Sequence, residues 1–238
     1  MKEERILNVL GKVDEKYIKE ADPEAKAKRK APVWTKWAAM AACLCLMMVA
    51  AVHVLSPLKT NIVTTDRLQL ATSVNSLADV SDLILIAYTD RAGANTLIRS
   101  ENGDIITGYT DTTLTIDTVF KGNIQPNSQI AITEECYTTA FGTVFWTQQG
   151  YLPIQPGTKY LLFLKAYPED SDFSGMYYPV DLEYGKYIIP SDFSANSFES
   201  ISNNREKLEI GAATDLDSYF EWYYTIMQEY MSDIKPTK

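Results

Sequence analysis

The sequence predicts a mainly β domain, a small barrel or sandwich closed by a C-terminal helix. That domain is carried by one membrane-spanning helix, which an amphipathic N-terminal helix precedes. Three observations lead to this reading. Trp37 to Leu55 is a nineteen-residue run without formal charge. The chain beyond it breaks into seven or eight short apolar or alternating segments divided by turn residues, as barrels and sandwiches require. Its last stretch, 214–234, returns to helical spacing.

The 238 residues carry a formal net charge of −9, unevenly spread. Residues 1–36 hold ten Lys or Arg and seven Asp or Glu, a balance of +3; the remaining residues hold twelve and twenty-four, a balance of −12. An acidic outer part without a basic stripe argues against nucleic acid as a partner, because phosphate is repelled.

In the first element, Glu3 to Glu20, the residues Ile6, Leu7, Leu10, Val13, Tyr17 and Ile18 recur mostly at spacings of three or four. They form one apolar stripe on a helix. Asp22-Pro23 ends it, and Glu24 to Ala31 is a basic linker. A lone helix of this length is marginal in water, so Ile6, Leu7, Leu10, Val13 and Tyr17 are expected to meet a partner. That partner is either the membrane surface or a groove on a cytoplasmic protein.

The second element is the span, 37–55. At 1.5 Å per residue it is roughly 28 Å long, close to the ~30 Å hydrocarbon core of a bilayer. Trp34 and Trp37 sit at interfacial positions, and Ser56-Pro57 ends the helix. Lys19, Lys26, Lys28, Arg29, Lys30 and Lys36 precede the run within twenty residues; Lys59 and Arg67 follow it. The positive-inside rule then places the N-terminus in the cytoplasm and the C-terminal domain outside the cell membrane.

Residues 56–78 read as a stalk, and 79–238 as the outer domain. Leu83 to Tyr88 (LILIAY) suits a strand buried on both faces. Thr96 to Ser100 and Asp104 to Tyr109 flank Glu101-Asn102-Gly103, a hairpin signal. In the next segment Leu114, Ile116, Thr118 and Phe120 are expected to share one face. Gln129 to Glu134 follows as a strand, then Pro156-Gly157 as a type II turn before Lys159 to Leu164. Met176 to Val180 and Lys186 to Ile189 are expected to pair. Finally, Thr214 is a candidate N-cap for a helix with the stripe Leu216, Tyr219, Phe220, Tyr223, Ile226, Met227, Tyr230 and Ile234. Such a stripe either closes a barrel or offers an aromatic platform to a carbohydrate or peptide.

Two stretches carry a resemblance. Residues 6–48, with the phrase Asp14-Glu15-Lys16-Tyr17-Ile18-Lys19-Glu20-Ala21 before a basic linker and an Ala/Cys/Leu-rich span, resemble the start of Firmicute, clostridial-type single-pass membrane proteins. Some of that group are anti-sigma-factor-like regulators, so the resemblance implies a regulatory tail. This tail lacks the His/Cys zinc cluster of one common anti-sigma class. The combination TIDTVFKGNIQPNSQIAI and GYLPIQPGTKYLLFL resembles exported Firmicute β domains, themselves similar to OB-like barrels of the netrin/TIMP type. That likeness implies an OB-like barrel, here without the cysteines of that superfamily.

Residues suited to chemistry are few. The only histidine, His53, lies in the apolar run, so a Ser-His-Asp or Cys-His site is excluded from the outer domain. Cys43 and Cys45 also lie in the run, leaving Cys136 alone outside, where a buried thiol is the expectation. Asp170, Asp172 and Ser174 occupy positions 1, 3 and 5 of a calcium-loop-like pattern, with Gly175 at 6 and Asp181 at 12. Asp at 12 departs from the bidentate Glu of such loops, and an acidic hairpin tip is the competing reading; calcium is the one cofactor the pattern suggests. Asp117, Asp181 and Glu183 are carboxylates on which a hydrolase would draw. The sequence favours a non-enzymatic sensing or binding domain on a regulatory membrane protein, its extracellular ligand unspecified. A surface-binding module on an inert anchor is the second reading, and an extracellular hydrolase the third.

Overall fold

Strands β2 (Leu83–Tyr88) and β8 (Lys159–Ala166) are apolar almost throughout because each is buried on both faces. In this computed structural model, which describes residues 59–64, 69–139, 142–190, 208–211 and 214–232, they pair antiparallel from Leu83↔Leu164 to Tyr88↔Lys159. Successive side chains of a strand point to opposite faces. Leu83, Leu85, Ala87, Tyr160, Leu162 and Leu164 therefore enter one core with Leu114, Ile116, Ile130 and Ile132. Ile84, Ile86, Leu161 and Phe163 enter a second core, beneath the helices.

The first core is the inside of a closed five-stranded barrel. β4 (Ile105–Lys121) pairs antiparallel with β2 and with β5 (Gln129–Glu134). The short β9 (Tyr177–Pro179) runs parallel to β5 through Ile132↔Tyr177 and antiparallel to β8 through Leu164↔Pro179, closing the ring. Around the ring the strands follow in the order β2, β4, β5, β9, β8. Two strands extend this sheet. β3 (Ala94–Arg99) adds to β4 as a projecting hairpin, and β10 (Lys186–Ile189) adds to β8.

A separate sheet comprises β1 (Lys59–Val63), parallel to β7 (Val144–Gln148), and β6 (Cys136–Thr139), antiparallel to β7. β6 is tied to the β3–β4 hairpin: Thr110 Oγ1 donates to the Cys136 carbonyl (2.7 Å), and the Asn95 side chain bonds both the N–H and the C=O of Thr138 (2.8 Å each). Pro57–Lys238 forms one compact unit that holds all the described residues.

The second core is roofed by α1 (Val74–Val80) and α2 (Leu216–Met231). A reciprocal Ser73–Ser76 capping box starts α1. On α2, Tyr219 and Tyr223 are one turn apart, about 6 Å along the helix, close to the two-residue repeat of a strand. Their hydroxyls donate to the Lys186 (2.6 Å) and Ile188 (3.0 Å) carbonyls of β10. The helix thereby covers and satisfies an edge strand that would otherwise present free carbonyls.

Several expectations hold. Gly103 at the β3–β4 turn (φ 86°) and Gly157 after Pro156 (φ 76°) adopt the left-handed conformation their turns need. Others need correction. The segment expected as a stalk, 56–78, contains β1 and the first five residues of α1; KTNIV is too short and too polar to announce a strand whose parallel partner lies far along the chain. Phe120 leaves the face of Leu114 and Ile116, because register shifts against β2 insert extra residues into β4 and turn Val119 toward the barrel core. β9 and β10 do not pair with each other. They follow one another along the same edge of β8, separated by a 3-10 turn at Leu182–Gly185. Asp215, one residue beyond Thr214, takes the N-cap position of α2 without a side-chain cap hydrogen bond, and the Thr214 hydroxyl is turned to Glu183 instead. The expected tail helix and span, 1–55, lie outside the described residues, as does Ile234; among the described residues no helix is long and apolar enough to cross a membrane.

Candidate functional site

Period-two alternation puts Glu134 of β5 on the same inward face as Ile130 and Ile132, where another aliphatic would be expected. Its carboxylate is fully buried at one end of the barrel core. Three donors converge on it: Tyr151 OH (2.8 Å) and the Ile154 N–H (2.7 Å) on Oε1, and Thr112 Oγ1 (2.5 Å) on Oε2. Burying a carboxylate is costly unless such donors replace water, and here they do.

On the other side of Tyr151 lies Lys186, the first residue of β10, which is 1% exposed. Its Nζ donates to the Leu152 carbonyl and stands 4.6 Å from the centre of the Tyr151 ring and 5.6 Å from that of Tyr160. Both distances fall within cation–π range. Burial pulls the Lys186 ammonium below its ordinary pKa, opposed chiefly by Glu134 and Glu183. Tyr160 OH donates to Glu209 and accepts from the Gln155 N–H (3.1 Å).

Glu183 completes this layer. It is 3% exposed, and its Oε1 meets no hydrogen-bond donor among the described residues. Burial pushes its pKa up to about 7, offset in part by its own main-chain N–H, the Lys186 charge and the Thr214 hydroxyl. Cys136 lies in the same region, buried as expected; desolvation and then the nearby Glu134 charge push its thiol up to about 12. That protonated thiol is a poor nucleophile.

Beside this layer is a cavity of about 240 Å³ lined by Gln69, Gln149, Asp181, Leu182 and Tyr184. Its walls are unusually constrained. Of five described non-glycine residues with positive φ, three line it: Gln149 (52°), Asp181 (49°) and Leu182 (60°). Such conformations persist only where the surroundings impose them, and they concentrate at functional sites. The restraints are visible: the Gln149 N–H donates to the Val63 carbonyl (2.8 Å), and the Asp181 carboxylate accepts the N–H groups of Leu70 (3.0 Å) and Ala71 (2.7 Å). Leu182 is the shared wall, since it packs with Tyr151, Cys136 and Phe145. Tyr184 is held by edge-on contact with Trp222 (4.9 Å).

The residues suggested by calcium-loop spacing fall in two places. Asp170, Asp172 and Ser174 lie in the β8–β9 connection, which is anchored by Phe173 against Tyr109 and Tyr167. Asp181 instead lines the cavity, with both oxygens engaged by main-chain amides. Among the described residues no three His, Cys, Asp or Glu side chains are grouped to hold a metal ion. The hydrolase candidates are likewise dispersed: Asp117 pairs with Lys159 at the surface (2.8 Å), Asp181 is in the cavity wall, and Glu183 is buried. Ile6, Leu7, Leu10, Val13 and Tyr17 lie outside the described residues. Sequence reasoning did not single out Glu134 or Lys186; the one signal for Glu134 was its phase with Ile130 and Ile132.

No protein-family model matches the chain, and no curated protein matches it.

Proposed function

We propose that the chain is a single-pass, non-enzymatic membrane protein. Its acidic outer barrel binds a small ligand, and its N-terminal tail helix contacts a cytoplasmic partner. The observation that carries the binding reading is the cavity walled by Gln149, Asp181 and Leu182, three side-chain-bearing residues in left-handed backbone. Lys186, whose burial would suit base chemistry, is enclosed by Tyr151 and Tyr160, which favours binding over catalysis. A closed five-stranded ring with a parallel β5–β9 seam and a strand order that departs from the chain order supports an OB-like Greek-key barrel. The charge asymmetry and the uncharged run 37–55 support the anchor and its direction.

Expression of the full chain in a bacterial host tests this reading. It should sediment with membranes, resist alkaline extraction, and lose its outer domain to protease added to intact spheroplasts. Recovery in the soluble fraction, or protection of the barrel from that protease, would overturn the proposed topology. Tail-dependent co-purification of a specific cytoplasmic protein is expected. Its loss on replacing residues 1–36 by an unrelated basic sequence would separate a regulator from an inert anchor.

A further inference from the structure

We propose that the 3-10 turn Leu182–Gly185 is a proton-operated gate on the cavity: it stays closed while Glu183 carries a proton and swings out once Glu183 is ionised. The inference goes beyond the binding reading and concerns the turn alone, so its failure leaves the cavity and the anchor untouched.

Both ends of the turn are fixed. Val180, before it, donates its N–H to the Phe163 carbonyl (2.9 Å) and lies in the second core with Tyr187, after it. Between them the main chain is loaded. Asp181 and Leu182 are consecutive left-handed residues (φ 49° and 60°), and an aliphatic Leu182 has no side-chain hydrogen bond to ease that conformation. A Cβ on Gly185 would stand 2.5 Å from the Val180 N and O, so the closed turn has one seating and no room to slide. Its side chains hold it there. The Asp181 carboxylate accepts the Leu70 and Ala71 N–H groups, Tyr184 meets Trp222 edge-on, and Leu182 packs on Cys136, Phe145 and Tyr151, a cluster separate from both main cores. The fourth contact is the enclosed side chain of Glu183. Asp181, Leu182 and Tyr184 all line the cavity, so release of the turn withdraws three lining residues together.

The surroundings of Glu183 favour the neutral acid. Lys186, on β10, supplies a positive charge, but Glu134 and Glu209 draw on the same charge. Glu135, between β5 and β6, is a like charge that opposes ionisation. Cys136 of β6, Tyr151, Tyr184 of the turn and Tyr219 of α2 also face Glu183, and burial keeps the thiol and the phenols neutral. Asp215, at the start of α2, bears on Tyr184, and Thr214 supplies a hydroxyl to Glu183. A carboxylate in this setting, with Oε1 lacking a donor among the described residues, gains hydration by leaving. Desolvation places the changeover at about pH 7 in the closed turn, against 4.5 for a hydrated glutamate. The closed turn therefore holds the proton more tightly than the open one, and closure weakens as pH rises from 4.5 to 7. Lys186 stays enclosed when only the turn moves, which distinguishes this motion from global unfolding, where Lys186 titrates as well.

Hydrogen exchange of the full-length protein in nanodiscs, followed by mass spectrometry from pH 5 to 8 and corrected for intrinsic exchange, tests the gate without any ligand. Protection over 181–186 should fall by up to about tenfold per pH unit as far as pH 7 and level off above it. Strands β2 and β8 should stay protected throughout, as a sub-global opening requires. Glu183→Gln, which mimics the protonated acid, should keep the acid-pH protection across the whole range. Should that variant not fold, wild-type protein labelled with carboxyl-13C glutamate decides: one glutamate must titrate with the midpoint of the opening. A wild-type profile flat with pH, the same fall in Glu183→Gln, loss of protection spread equally over β2 and β8, or no glutamate titrating near pH 7 would overturn the inference.

Discussion

The aliphatic interior of the barrel and the polar layer beside it are buried to the same degree and built on opposite terms. In the interior, Leu83, Leu85, Leu114, Ile116, Ile132, Leu162 and Leu164 need only exclude water. In the layer, Glu134, Lys186 and Glu183 are as fully enclosed, yet each requires named partners to offset lost hydration. Glu134 has three donors; Glu183 has one oxygen without any among the described residues. Burial makes the first region stable. In the second, stability depends on satisfaction, and satisfaction is incomplete at the residue next to the cavity wall. Buried charge of this kind is weak evidence for stability and better evidence for a specified geometry.

The largest expected effect comes from the layer. Glu134→Ala leaves Tyr151 OH, the Ile154 N–H and the Thr112 hydroxyl without their acceptor, at about 1–3 kcal/mol for each stranded group. We expect a net loss of about 4 kcal/mol and a melting temperature lower by roughly 10 °C. Leu162→Ala in the interior should cost about 3 kcal/mol, within the range for aliphatic truncation. Denaturant unfolding of the two variants ranks them. A Glu134→Ala protein more stable than Leu162→Ala would break the contrast, showing that the carboxylate's donors turn elsewhere. Tyr219→Phe should cost about 1 kcal/mol by removing the bond to the Lys186 carbonyl, and it should raise hydrogen exchange along β10. Tyr223→Phe, acting at Ile188, is expected to do the same more weakly because its bond is longer and less enclosed.

The two regions were also unequally legible. The interior could be read because LILIAY and KYLLFL are continuous apolar runs, and such runs mean strands buried on both sides. The α2 stripe was equally plain, since Tyr219, Tyr223, Ile226 and Met227 are the buried residues of that helix, together with Met231. The polar layer could not be read in this way. Glu134 is one acidic residue at the end of QIAITE, and its three donors come from Thr112, Tyr151 and Ile154, which no local pattern links. Lys186 opens KYII as a solvent-facing residue would, and only the enclosing Tyr151 and Tyr160 reverse that. The cavity depends on main-chain conformation at Gln149, Asp181 and Leu182, of which only Asp181 is a residue type enriched at positive φ. β1 escaped notice because it is short and polar and its partner, β7, is remote in sequence.

Whether the layer carries an incompletely compensated buried charge beside the cavity is best tested at Glu183. Its folded-state pKa, raised from 4.5 to about 7, means that the native state holds a proton the unfolded chain has released. Stability is therefore full below pH 4.5, falls as pH rises toward 7, and levels off above it, a loss on the order of 3 kcal/mol. Lys186, lowered by burial, contributes the opposite slope and remains in a Glu183→Gln variant, so the difference between the two profiles reports Glu183 together with its coupling to Lys186. Unfolding free energies of both full-length proteins, measured from pH 5 to 8, should diverge up to about pH 7, with the variant gaining on the wild type, and run parallel above it. Parallel profiles across that window would contradict the account.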